Sequence, residues 1–159
     1  MTDFQNLLED ITDQVHRESD WGQPAQYIRE LANVELAPFA ISICTADGAT
    51  YSAGKYRTAF SIQSISKVFT LIATLGRIGD QLWTRVGREP SGTAFDSVVL
   101  LETERGQPRN PFVNAGALVT TDALLSGREP KQALAEIINL VRASADDDDI
   151  HINASVARS

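Results

Sequence analysis

The sequence predicts an α/β domain in which helices pack on an antiparallel sheet, and three observations carry that expectation. Phe4, Leu7, Leu8, Ile11 and Val15 recur at three- and four-residue steps, the mark of a helix with one buried stripe. Phe39, Ile41 and Ile43 alternate with Ala40, Ser42 and Cys44, and Asp47-Gly48 reverses the chain into Thr50-Tyr51-Ser52, the mark of a hairpin. Val68, Phe69, Leu71, Ile72, Leu75 and Ile78 make a third segment too apolar for a surface helix, which places it at the centre.

Taken in chain order, the first helix opens behind a Thr2 or Asp3 cap and carries its acids on the polar face. Pro24 suits the first turn of a second short helix, on which Tyr27, Ile28 and Leu31 share a face. In the hairpin, Asp47 and Gly48 supply the positive-φ residues of a tight reversal. Phe60-Ser61-Ile62 reads as extended, and the central helix runs over 64–79 with Gly79 as its terminator. From Asp80 to Arg109 the periodicity weakens and Gly87, Pro90-Ser91-Gly92 and Pro108 punctuate connecting loops with short helices. Two more helices follow. One opens near Asn114 with Leu118, Thr121, Leu124 and Leu125; the other opens at Pro130 with Leu134, Ile137, Ile138 and Val141. Asp146 to Asp149 read as a solvated loop, since their spacing fits no EF-hand.

Composition narrows the function classes. An apolar fraction of 43% in 159 residues supports a folded core and argues against disorder. The net charge of -7, with no Lys/Arg stripe, makes nucleic acid and anionic membrane poor partners. No run approaches membrane-spanning length, and the acidic amino terminus lacks the basic-then-apolar order of a secretory signal. Cys44 alone forms no intramolecular disulfide, and with His16 and His151 it cannot complete a standard zinc set, so a reducing cytoplasm and no metal are expected.

Ser64-Ile65-Ser66-Lys67 sets a hydroxyl and an amine three residues apart at the start of the apolar helix, on one face. A serine hydroxyl becomes a useful nucleophile when a neighbour takes its proton, and a neutral lysine can do so whereas arginine cannot. The spacing alone is weak, because Ser52-Ala53-Gly54-Lys55 repeats it in a turn where no helix aligns the pair, and Ser64 with Lys67 could equally be a cap and a snorkelling lysine. His16 and His151 stand in no motif near a nucleophile, which argues against a Ser-His-Asp hydrolase. Asn114 could cap its helix or face a cleft, and Tyr27 could be a packing residue with a hydrogen-bonded tip.

The string from Phe60 through Gln63, Ser64 and Lys67 to Val68 resembles the active-site segment of the serine-dependent glutaminase family. Tyr27-Ile28 with Leu31-Ala32, the run from Ile43 to Gly48, Val86-Gly87 with Glu89-Pro90-Ser91-Gly92, and the run from Pro108 to Ala117 extend the resemblance over most of the chain. The Ser-x-x-Lys element is shared with β-lactamases and penicillin-binding proteins, where the identity of the acylation base is disputed. The resemblance implies a β-lactamase/transpeptidase-like fold of which residues 1–159 form the amino-terminal part: helices and hairpin over 1–62, the active-site helix over 64–79 and a helical region over 80–159. It implies hydrolysis of L-glutamine to L-glutamate and ammonia without a cofactor. Ser64 would be the acyl-forming nucleophile and Lys67 the proton acceptor; Asn114 and Tyr27 would hold the amino-acid end of the substrate, and Gln63 would orient the pocket.

The family pattern continues with a second half that supplies a Glu, an Asn, further tyrosines and a Lys-Ser-Gly strand, none of which follows here. Residues 1–159 alone are therefore expected to leave strand edges and core faces uncovered, to self-associate as a homo-oligomer and to lack turnover. Two other readings share these residues: an esterase or amidase of the penicillin-recognising type, and an inactive truncated assembly module.

Overall fold

The computed structural model describes residues 3–18, 22–92 and 104–158. They divide into two units, residues 1–61 with 152–159, and residues 62–151.

In the first unit, helix α1 (Phe4–Arg17) starts behind Asp3, whose carboxylate accepts from the Asn6 N–H at 3.2 Å. Such a cap contributes about 1 kcal/mol. Leu8 and Thr12 are buried on α1 while Leu7 is 42% exposed, so the apolar stripe is narrower than its sequence pattern. The stripe packs on a two-stranded antiparallel sheet of β1 (Ala40–Cys44) and β2 (Thr50–Gly54), registered from Ala40 opposite Gly54 to Cys44 opposite Thr50. The Phe4 and Tyr51 rings lie 5.5 Å apart, and Gln5 donates to the Ser52 carbonyl at 3.2 Å.

The hairpin expectation holds, with a longer loop than a two-residue reversal. Thr45 N–H donates to Ala49 O and Gly48 N–H to Thr45 O, both at 2.9 Å, and of Asp47 and Gly48 the glycine takes the positive φ, +87°. Asp47 instead uses its carboxylate, which accepts the Thr45 hydroxyl and, at 3.5 Å, the Ala49 N–H; these bonds hold its carboxyl below the usual range. The turn keeps this support at neutral pH and loses it as pH falls through the lowered value.

The second short helix does not form. Residues 26–33 make successive turns, joined by Leu31 N–H and Ala32 N–H to Ile28 O, each at 3.0 Å. Tyr27 is 84% exposed, and Ile28 and Leu31 are half-buried. Without a buried stripe, so short a helix lacks the packing that stabilises it.

In the second unit a single 3₁₀ turn (Gln63–Ile65) leads into α2 (Ser66–Ile78), and a 3₁₀ segment (Gly79–Thr84) follows it. Ile62 already has helical φ and ψ, so the extended reading of 60–62 fails at its last residue. Gly79 ends α2 with φ +55°, as expected. Helices α3 (Asn114–Leu125) and α4 (Pro130–Ala145) complete the unit, Pro130 sitting in the first turn. The short helices expected between 80 and 109 fall partly on 93–103, outside the described residues.

Two apolar clusters hold these helices. Ala73, Leu124 and Ala133 join α2, α3 and α4; Leu82, Val86 and Ala123 join α3 to the chain after α2. Thr74, fully buried, lies with its hydroxyl 2.7 Å from the Thr70 carbonyl and 3.3 Å from that of Thr120. Small residues and threonines on the facing surfaces bring α2 and α3 close. Leu118 and Leu134, expected inside, are 59% and 46% exposed, and on α2 Val68 and Ile72 are 43% and 48% exposed. The apolar composition of α2 thus exceeds what this unit buries.

Candidate active site

Two helices deliver the polar groups of the second unit's cleft. Lys67 stands in the first turn of α2 and Asn114 is the first residue of α3. The Lys67 Nζ donates to Asn114 Oδ1 at 2.7 Å and to the Phe112 carbonyl at 3.0 Å. Residue 113, not Asn114, occupies the capping position, and no side chain caps this helix. The Asn114 amide is directed to the lysine and does not cap the helix.

The loop before α3 sets this geometry. Gly87 N–H donates to Pro108 O at 2.7 Å and Glu89 N–H to Arg109 O at 2.8 Å, tying residues 87–89 to 108–109. At Gly116 the Asn110 carbonyl presses on the helix so closely that an added Cβ would lie 1.8 Å from its oxygen. We expect Gly116→Ala to destabilise the fold by roughly 3 kcal/mol, at the upper end for overpacking, because the clashing atom belongs to backbone. Denaturant unfolding checks this; a variant as stable as the parent would mean that loop and helix are not held at this separation.

A cleft of about 420 Å³ opens beside the pair, lined by Ser66, Lys67, Thr70, Asn114, Leu118 and Thr121 among others. Its hydroxyls are already engaged: Thr70 donates to Ser66 O at 3.1 Å and Thr121 to Ala117 O at 2.8 Å. The wall beside the lysine and the amide is mostly apolar, with Ala117 and Leu118 among its residues.

The expected site residues are only partly gathered. Lys67 and Asn114 meet directly. Ser64 lies exposed in the 3₁₀ turn three residues before Lys67, and neither it nor Gln63 lines the cleft. Gln63 has φ +46°, a left-handed conformation that costs a residue with a Cβ on the order of 1–3 kcal/mol and places strain immediately before Ser64. Tyr27 belongs to the first unit. Ser52, the other serine with a lysine three residues on, sits in β2 with its hydroxyl 2.9 Å from that of Ser42 across the hairpin.

One residue of this region escaped the sequence reading. Asn110 accepts the Phe112 and Val113 N–H groups on its amide oxygen, at 3.0 and 3.1 Å, and donates to Glu89 O at 2.9 Å. The Asn110-Pro111 dipeptide was the available signal, since Asn before Pro favours turn initiation.

Comparison with known proteins agrees with the motif resemblance. The Glutaminase family model matches residues 22–159. A glutaminase of Agrobacterium fabrum is 52% identical over all of this chain and 52% of its own length, and one of Psychrobacter cryohalolentis is 52% identical over 98% of this chain and 51% of its own. Among solved structures, the probable glutaminase ybaS superposes with a TM-score of 0.83 at 35% identity, covering 97% of this chain and 50% of that one. Mglu in its tris and glutamate form gives 0.81 at 31%, covering 92% and 33%. The helices and small antiparallel sheet are thus part of the β-lactamase-like α/β fold of these proteins. The chain spans about half the length of the curated relatives it matches. With its motifs, fold and relatives in agreement, the chain belongs to the glutaminase family.

Proposed function

We propose that this chain carries the nucleophile-and-base half of a glutaminase that hydrolyses L-glutamine to L-glutamate and ammonia. The observation that carries the reading is the direct bond from Lys67 Nζ to Asn114 Oδ1, made within a chain about half identical to glutaminases. Ser64 Oγ attacks the side-chain amide carbon while its proton passes to neutral Lys67. The C–N bond then breaks, and the departing nitrogen takes that proton to leave as ammonia. Water attacks the resulting ester, and Ser64 recovers its proton as glutamate departs. Asn114 and Tyr27 hold the amino-acid end of the substrate and Gln63 orients the pocket; no cofactor enters these steps. Glutamate as the product fits the glutamate form in which Mglu, 31% identical, was solved.

The reading includes a cytoplasmic location, supported by the exposed free thiol of Cys44, and self-association of the 159-residue chain through exposed Val68, Ile72 and Leu118.

The test is a chimera joining residues 1–159 to the carboxy-terminal half of the Agrobacterium relative, assayed for ammonia release with glutamine and asparagine and for opening of a chromogenic β-lactam. Glutamine-dependent ammonia release is expected. A folded chimera that opens the lactam and leaves glutamine intact would move the reading to a penicillin-recognising esterase or amidase. In the same protein Asn114→Ala is expected to lower kcat/KM by a factor worth about 1–3 kcal/mol through lost hydrogen bonds. Unchanged kinetics in a less stable variant would return Asn114 to a structural role.

A further inference from the structure

We infer that Asn110 is the positioning residue of the Lys67 amine, an assignment that rests on Lys67 being the group that handles the proton. Two acceptors of Lys67, the Phe112 carbonyl and the Asn114 amide, both follow a loop whose shape Asn110 determines. Its amide oxygen gathers two successive N–H groups, those of Phe112 and Val113, onto one side of the chain. The Phe112 carbonyl and the Val113 N–H belong to one planar trans peptide, so holding that N–H on Asn110 turns the carbonyl the opposite way, where Lys67 donates to it at 3.0 Å.

The other end of the amide is anchored too. Asn110 Nδ2 donates to Glu89 O at 2.9 Å, linking the loop to the segment that Gly87 and Glu89 already tie to residues 108–109. The backbone carbonyl of Asn110 is seated against Gly116 on α3. One side chain thus connects the 87–89 segment, the entrance to α3 and, through Phe112, the lysine. Replacing it with alanine would leave the Phe112 and Val113 N–H groups without this acceptor and free the peptide that faces Lys67.

Lysines 55, 67 and 131 are the three in the chain, and Lys55 and Lys131 are exposed, so carbon-13 labelling at lysine Cε gives a spectrum with internal references. In the 159-residue chain, Lys67, identified by loss of its signal in Lys67→Arg, is expected to show a Cε order parameter above those of Lys55 and Lys131. Asn110→Ala is expected to lower the Lys67 value at least about twofold, to the level of the other two. Asn110→Asp, which keeps the oxygen that gathers the Phe112 and Val113 N–H groups and gives up only the tie to Glu89 O, is expected to keep Lys67 more ordered than in Asn110→Ala. Val141→Ala, which opens a cavity under α4, is expected to cost stability and leave the Lys67 signal in place. A folded Asn110→Ala chain with an ordered Lys67, an equal loss in Val141→Ala, or as large a loss in Asn110→Asp as in Asn110→Ala would each overturn the assignment. If Asn110→Ala does not fold, the aspartate variant and the Val141 control decide. The readout needs no turnover, so a failed glutamine assay with this NMR pattern would refute the glutaminase reading and leave the positioning role intact.

Discussion

Ser64→Ala in the glutaminase chimera is expected to reduce ammonia release from glutamine at least about a thousandfold, with thermal stability nearly unchanged. The first part follows from chemistry: without the hydroxyl no acyl ester forms, and the remaining groups can only bind the substrate. The second follows from position. Ser64 is exposed within the 3₁₀ turn, and the residues that cap this turn and α2 are Ile62 and Ile65. Its loss removes no helix cap, so a cost of no more than about 0.5 kcal/mol is expected, as for an ordinary surface substitution. Ser52→Ala serves as the control, since that hydroxyl faces Ser42 across the hairpin. Substantial glutamine turnover in Ser64→Ala would remove Ser64 from the mechanism.

The sequence made the elements legible where one physical signal dominated. The alternation from Phe39 to Cys44 corresponds to β1, and Gly79 and Pro130 mark the ends that their backbone preferences dictate. Legibility ended where an outcome depended on contacts distant in the chain. Tyr27, Ile28 and Leu31 are spaced for a helix, but spacing cannot tell whether anything buries their face, and Tyr27 is 84% exposed. Leu118 and Leu134 have the hydrophobicity of core residues, yet α3 and α4 bury their alanines, Ala123 and Ala133, at the close contacts.

The site divides in the same way. Ser64 and Lys67 could be picked out because their spacing is local, whereas the direction of the Asn114 amide depends on a lysine 47 residues away. Asn110 lay further out of reach: its role depends jointly on Glu89, two backbone N–H groups and the absence of a side chain at Gly116. A single sequence shows such a residue only as part of an Asn-Pro turn.

Lys67→Arg is the sharper test of mechanism, because it removes the proton acceptor while leaving a long basic side chain in its place. Lys67 is half-buried, and Phe112 O and Asn114 Oδ1, which accept from it, can accept from a guanidinium as well. The arginine variant is therefore expected to fold with a basic, hydrogen-bonding side chain in the same place. It cannot release a proton at any pH at which the protein is folded, so it cannot relieve Ser64 of its own. Turnover by the chimera is expected to fall at least about a hundredfold, the lower range for removal of a general base, with a much smaller change in KM if substrate binding is carried by Asn114 and Tyr27. Equal activity in the arginine variant would show that the amine acts by charge alone and that Ser64 loses its proton elsewhere. A loss confined to KM would instead assign Lys67 to substrate binding, and the proton acceptor would have to be sought among residues other than those in the cleft beside α2.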